Sequence, residues 1–135
     1  MNLLNLFSVI HWIPVVLLTL FSFFLGATWH SSFLFGKVWK RENKYDPVPK
    51  KISYPLIFGG TAVFHFLAIA GLSAAVSGMG LLTGFINGIL IAVIWIVPAM
   101  GGTYLFANRS IKLLAIDAGM YVLLYTVSGG ILGIW

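Results

Sequence analysis

Asp117 is the one acidic residue outside the segment 37–51, and it falls early in a long apolar stretch. Counted from Ile111, it lies about one and a half helical turns in, at the depth of a membrane leaflet. Asp117, Tyr121, Tyr125 and Ser128 are spaced four, four and three apart, so on a helix they form one polar stripe. A lipid-facing helix has no use for such a stripe, so it should face other helices or a cavity. His30 ends the first apolar stretch at the same depth as Asp117, and the two are expected to meet. His65 falls near the middle of another apolar stretch, with Thr61 one turn earlier, and Asn87 with Thr83 marks a third. Acid–base groups at membrane depth point to a proton or cation site, or to a relay. Two blander readings stand beside this one. Asp117 could pair at the surface with Lys112 or Arg109, and His65 could be a neutral imidazole bonded to a neighbouring helix.

Several chemistries are excluded. The chain has no cysteine, which removes disulfides and thiolate sites. Three histidines on separate segments lack the spacing of a metal site. There is no phosphate-binding glycine loop, nucleophile elbow or pair of carboxylates. No catalytic residue and no cofactor is therefore assigned.

The elements that must position these residues follow from composition. Of 135 residues, 60% are hydrophobic and 8% are charged, against about 25% charged in soluble domains. The bilayer has to act as solvent. All eight basic residues fall in two short segments: Lys37, Lys40, Arg41, Lys44, Lys50 and Lys51 in one, Arg109 and Lys112 in the other. They flank apolar spans, where they anchor helices at lipid head groups, so the net charge of +5 does not indicate nucleic acid.

A span needs about 20 apolar residues. The expectation is an all-α polytopic membrane protein: one domain over 1–135, four transmembrane helices near 13–34, 54–76, 81–106 and 111–134, packed as a compact bundle. Pro14 suits a first helical turn. The N-terminus lacks a basic region, and its apolar run far exceeds the roughly 7–15 residues of a signal peptide, so it reads as a retained span. Before it, Asn2, Asn5, Ser8 and His11 recur every third residue, as in an interfacial helix or a frayed terminus. Ser77-Gly78-Met79-Gly80 breaks the second span from the third. Asp46-Pro47-Val48-Pro49 enforces an extended turn, with Trp39 and Tyr45 as interfacial anchors. Asn108 and Ser110 are the candidate caps of the last helix. Pro98 with Gly101-Gly102 should kink or loosen the third span.

Basic loops 37–51 and 107–112 lie on one side, expected to be cytoplasmic, with both termini external, in a bacterial inner membrane. Ser32–Gly36 and Thr103–Ala107 are similar, which raises a parallel duplication. Small residues recur at packing spacing in Ser22/Gly26, Gly84/Gly88 and Gly129/Gly133. The small faces of the third and fourth spans are the expected contacts of a homo-oligomer, a dimer first.

The stretch Leu25-Gly26-Ala27-Thr28-Trp29-His30-Ser31-Ser32-Phe33-Leu34-Phe35-Gly36-Lys37-Val38-Trp39 resembles the signature of a family of small bacterial membrane proteins called DUF1761, a domain of unknown function. The C-terminal end is similar as well, through Tyr104-Leu105-Phe106, the Ala118-Gly119 pair and Gly130-Ile131-Leu132-Gly133-Ile134-Trp135. His30 stands where that family more often has tyrosine, Ser32 where proline is common, and Asp117 where asparagine is common. The resemblance implies four spans and carries no activity.

Three functions fit. A small oligomeric transporter or channel would use the polar stripe and the histidines. A structural or accessory protein would bind other membrane proteins or lipids. A membrane enzyme acting on a lipid or quinone would use His30 or Asp117 as acid or base. A polar cavity at His65 or Asp117 favours the first, and a dry packed bundle favours the second.

Overall fold

The computed structural model describes residues 7–43 and 52–135. Five helices account for most of them: α1 (Trp12–Trp29), the short α2 (Gly36–Glu42), α3 (Tyr54–Val76), α4 (Leu81–Phe106) and α5 (Ile111–Gly133). Four of these are long and apolar enough to cross a membrane, and no strand occurs among the described residues. In a bilayer core every backbone N–H and C=O has to be paired inside the protein, and a helix does this within one segment.

The helix ends follow local chemistry. Pro14 sits in the first turn of α1, and Pro55 in that of α3. Gly78 and Gly80 form the α3–α4 turn with φ of 75° and 86°, a left-handed backbone that glycine adopts without penalty. Ser110 caps α5 by accepting from Lys112 N at 3.2 Å, while Asn108 takes the left-handed position of the turn with φ of 52°. The N-terminal pattern Asn2, Asn5 lies outside the described residues, as do Lys44, Tyr45, the two prolines at 47 and 49, Lys50 and Lys51. His11 is the N-cap of α1, and its backbone N–H reaches Ser73 Oγ at 3.2 Å.

The first helix corrects its expected length. It stops at Trp29 instead of continuing to Leu34, and a turn leads into α2. The Ser31 carbonyl accepts from Leu34 N and Gly36 N, which folds the chain back on itself. A Cβ at Gly36 would overlap the carbonyl oxygens of His30 and Ser31, so only glycine closes this turn. The similar stretch Thr103–Phe106 is helical, so the two halves of the suspected duplication differ in conformation.

Helix α5 is the hub and touches every other span. Its closest partner is the first half of α4. Gly80, Gly84 and Gly88 lie directly against Tyr125, Gly129 and Gly133, and Gly80 N donates to Gly133 O at 2.7 Å. A Cβ on Gly84 would overlap the Gly129 carbonyl, and one on Gly88 that of Tyr125. These small faces pack on each other inside one chain. The expectation that they join protomers is corrected: backbone-to-backbone approach leaves no room for another helix. Val15, Leu18, Ile69, Leu72, Val76, Ala92, Tyr125 and Leu132 form the apolar core beside this seam.

Pro98 does not break α4. A π-helical turn, Ala92–Ile96, precedes it, and Val97 N donates to Ala92 O. Proline has no N–H and its ring crowds the carbonyl four residues back; the wider turn accommodates that crowding.

Candidate functional site

Asp117 collects three donors from three elements. His30 Nε2 lies 3.0 Å from Oδ1, Trp39 Nε1 donates to the same oxygen at 2.9 Å, and the Tyr104 hydroxyl donates to Oδ2. His30 caps α1, Trp39 belongs to α2, Tyr104 ends α4, and Asp117 is on α5. The Arg109 guanidinium carbon sits 5.7 Å above the Tyr104 ring. The side chains of His30 and Asp117 are 27% and 16% exposed, so the pair is reachable from the end of the bundle that carries the basic residues. Among the described residues, the basic side chain within 4 Å of this carboxylate is thus His30, from another helix.

Local folding explains the gathering. The Trp29 indole donates to Ile116 O at 2.9 Å, one residue before Asp117, which pins the end of α1 to α5. Trp29 also packs on Phe35, with ring centroids 4.7 Å apart and the planes tilted by 41°, so the turn folds over its own aromatic pair. That turn swings α2 back, and Trp39 packs edge-on against His30. Ser110 Oγ donates to Glu42 Oε2 at 2.6 Å and ties down the far end of α2. The residues of the family-like signature are those that build this clasp.

A second cluster lies at mid-span. His65 Nδ1 is 2.7 Å from Ser22 Oγ, and Nε2 is 3.3 Å from the Tyr121 hydroxyl. Ser22 donates its own proton to Thr19 O at 2.6 Å. Its oxygen can then only accept from His65, so Nδ1 carries the ring proton. In a neutral ring Nε2 is then the acceptor of the Tyr121 hydroxyl, and His65 joins α1, α3 and α5.

Sequence reasoning brought His30, Asp117, His65 and Tyr121 to these clusters, and the fold places Tyr121 one turn from Asp117 on α5. Tyr125 instead packs in the apolar core, and Ser128 Oγ is buried with no hydrogen-bond partner among the described residues. Asn87 stands apart: it bonds back to Thr83 O at 2.9 Å within its own helix. Ser22 was read as a packing residue and is a hydrogen-bond partner, while Gly26 lends its carbonyl to His30 Nδ1 at 2.9 Å. Trp39 and Tyr104 were missed as ligands of Asp117. An indole or phenol beside lysines signals an interface as readily as a buried bond. Among the described residues, no three His, Cys, Asp or Glu gather as a metal site.

The family model described as "Protein of unknown function (DUF1761)" matches residues 13–133, nearly the whole chain. The chain belongs to the DUF1761 family. No curated protein and no solved structure matches it. In this DUF1761 chain, the matched region contains both polar clusters and, apart from Trp12, all four of the spans described above.

Proposed function

We propose that this integral membrane protein is a small proton-coupled transporter or proton channel. The His30–Asp117 couple is its proton site on the basic side, which would face the cytoplasm of a bacterial inner membrane. The observation that supports this is a partly exposed acid–base pair held at membrane depth by Trp39 and Tyr104. The carbonyl of Gly26 can only accept, so His30 Nδ1 keeps a proton, and one further proton is shared between Nε2 and Oδ1. A second proton taken up on Oδ2 forms a carboxylic acid O–H. The Tyr104 hydroxyl then has to turn from donor to acceptor, since Oδ2 now carries the proton of that hydrogen bond. Proton uptake is thereby linked to a reversal of the contact between α4 and α5.

The test is direct. The purified chain in vesicles containing a pH-sensitive dye, under a potassium diffusion potential, should pass protons faster than empty vesicles. Asp117→Asn and His30→Ala should remove that flux. A wild-type rate equal to that of empty vesicles would end this reading.

A second reading, an accessory protein for other membrane proteins or lipids, is favoured by two observations. Both ring nitrogens of His65 are taken by protein groups, and α4 and α5 meet backbone to backbone, as in a rigid scaffold.

A further inference from the structure

Span α4 is the least covered of the four. Only 17% of its apolar stretch is buried, against 28% for α1 and α3 and 39% for α5. Its first half is held by the glycine seam, but past the π turn a continuous face is open. Val93, Ile94, Trp95, Pro98, Ala99 and Gly102 are all exposed, and a Cβ at Gly102 would meet open space.

This face carries polar groups of two kinds, both without their usual partner, on one turn. The first is the Trp95 indole N–H: the residue is 64% exposed and bonds to nothing among the described residues. The second is backbone. Pro98 has no N–H, so the Ile94 carbonyl loses its α-helical donor, and Val97 N, the normal donor to Val93 O, is engaged by Ala92 O. Trp95 lies 14 residues into a helix of 26, roughly 21 Å along about 39 Å, near the middle of a bilayer. Tryptophan ordinarily sits at the interfaces, where its N–H finds water or head groups. At mid-membrane, lipid chains offer neither donor nor acceptor.

We propose that this face is the interface of a parallel homodimer, in which each Trp95 indole donates to the π-turn carbonyls of the second copy. Two copies inserted the same way are related by a two-fold axis along the membrane normal. That operation preserves depth, so a donor and an acceptor on one turn meet twice. A different protein would have to bring both groups to this level; a second copy brings both by symmetry. Ala99 and Gly102, one and two turns on, let the two backbones approach closely. The dimer replaces the glycine faces first expected to make it. It is independent of proton transport, since none of its residues belongs to either polar cluster.

The chain has no cysteine, so a single introduced thiol reports cleanly. In phosphatidylethanolamine–phosphatidylglycerol vesicles, Gly102→Cys should form an intermolecular disulfide, and Gly59→Cys, open but on α3, should not. Trp95→Phe keeps the ring and removes the N–H; together with Gly102→Ile it should weaken dimerisation about tenfold in a fluorescence-transfer titration. Both sites are exposed, and circular dichroism checks that helix content is unchanged. A monomeric wild type, dimerisation unaltered by both substitutions, or equal crosslinking at Gly59→Cys would overturn the proposal. So would association of this face with a different protein only.

Discussion

His30 Nε2 stands 3.0 Å from Asp117 Oδ1, across 87 residues of sequence, while its other nitrogen is held by the Gly26 carbonyl of its own helix. One ring thus clamps the end of α1 to α5. Because Trp39 and Tyr104 donate to the same carboxylate, removing it strands three donors at once.

Asp117→Ala should therefore destabilise the fold by about 2–4 kcal/mol, measured by unfolding in a denaturing detergent titration. Asp117→Asn keeps the shape and removes the charge. It should shift the ¹⁵N resonance of His30 Nε2 and leave that of His65 Nδ1 in place. An unmoved His30 signal would mean the two side chains do not interact.

The donor order around His65 makes a ranking. Ser22→Ala removes the 2.7 Å contact to Nδ1 and strands a buried N–H, at a cost of about 1–3 kcal/mol. Tyr121→Phe removes the longer 3.3 Å contact and leaves only an acceptor unmet, so it should cost less. Nitrogen NMR of the wild type should show the proton on Nδ1. The opposite tautomer, or an inverted ranking, contradicts the network.

The glycine seam should tolerate nothing larger. Gly84→Ala and Gly129→Ala each drive a methyl into a facing carbonyl, and α4 must separate from α5. A loss of about 2 kcal/mol or more is expected for each, by the same unfolding assay. Gly59→Ala and Gly71→Ala meet nothing within 4 Å and should be neutral or slightly stabilising. Equal tolerance at all four positions would show that the seam is not formed.

For orientation, Lys40→Cys on α2 and Met79→Cys in the α3–α4 turn sit at opposite ends of the bundle. In inverted membrane vesicles an impermeant thiol reagent should label residue 40, and in intact cells residue 79. Labelling of both from one side would refute the topology built on the basic loops.

Charge and apolar length alone determined that this chain makes four helices long and apolar enough to cross a membrane, with its basic residues confined to two short segments of the sequence. A stretch of some twenty uncharged residues has no other way to satisfy its backbone in lipid. The breaks at Ser77–Gly80 and at Ala107–Ser110 were equally legible, because Gly, Asn and Ser act locally. The meeting of His30 and Asp117 could be read from matching depth. What only the tertiary structure decided is rotation and register. Each span is apolar nearly all round, so its pattern does not say which face turns inward. The stripe on α5 was visible, yet Tyr121 found His65 while Tyr125 went into the core. The glycines of α4 and α5 looked available to a second copy and proved to face each other. Trp39 and Tyr104 became ligands of Asp117 only because a turn closed by Gly36 and a helix prolonged through a π turn carried them there.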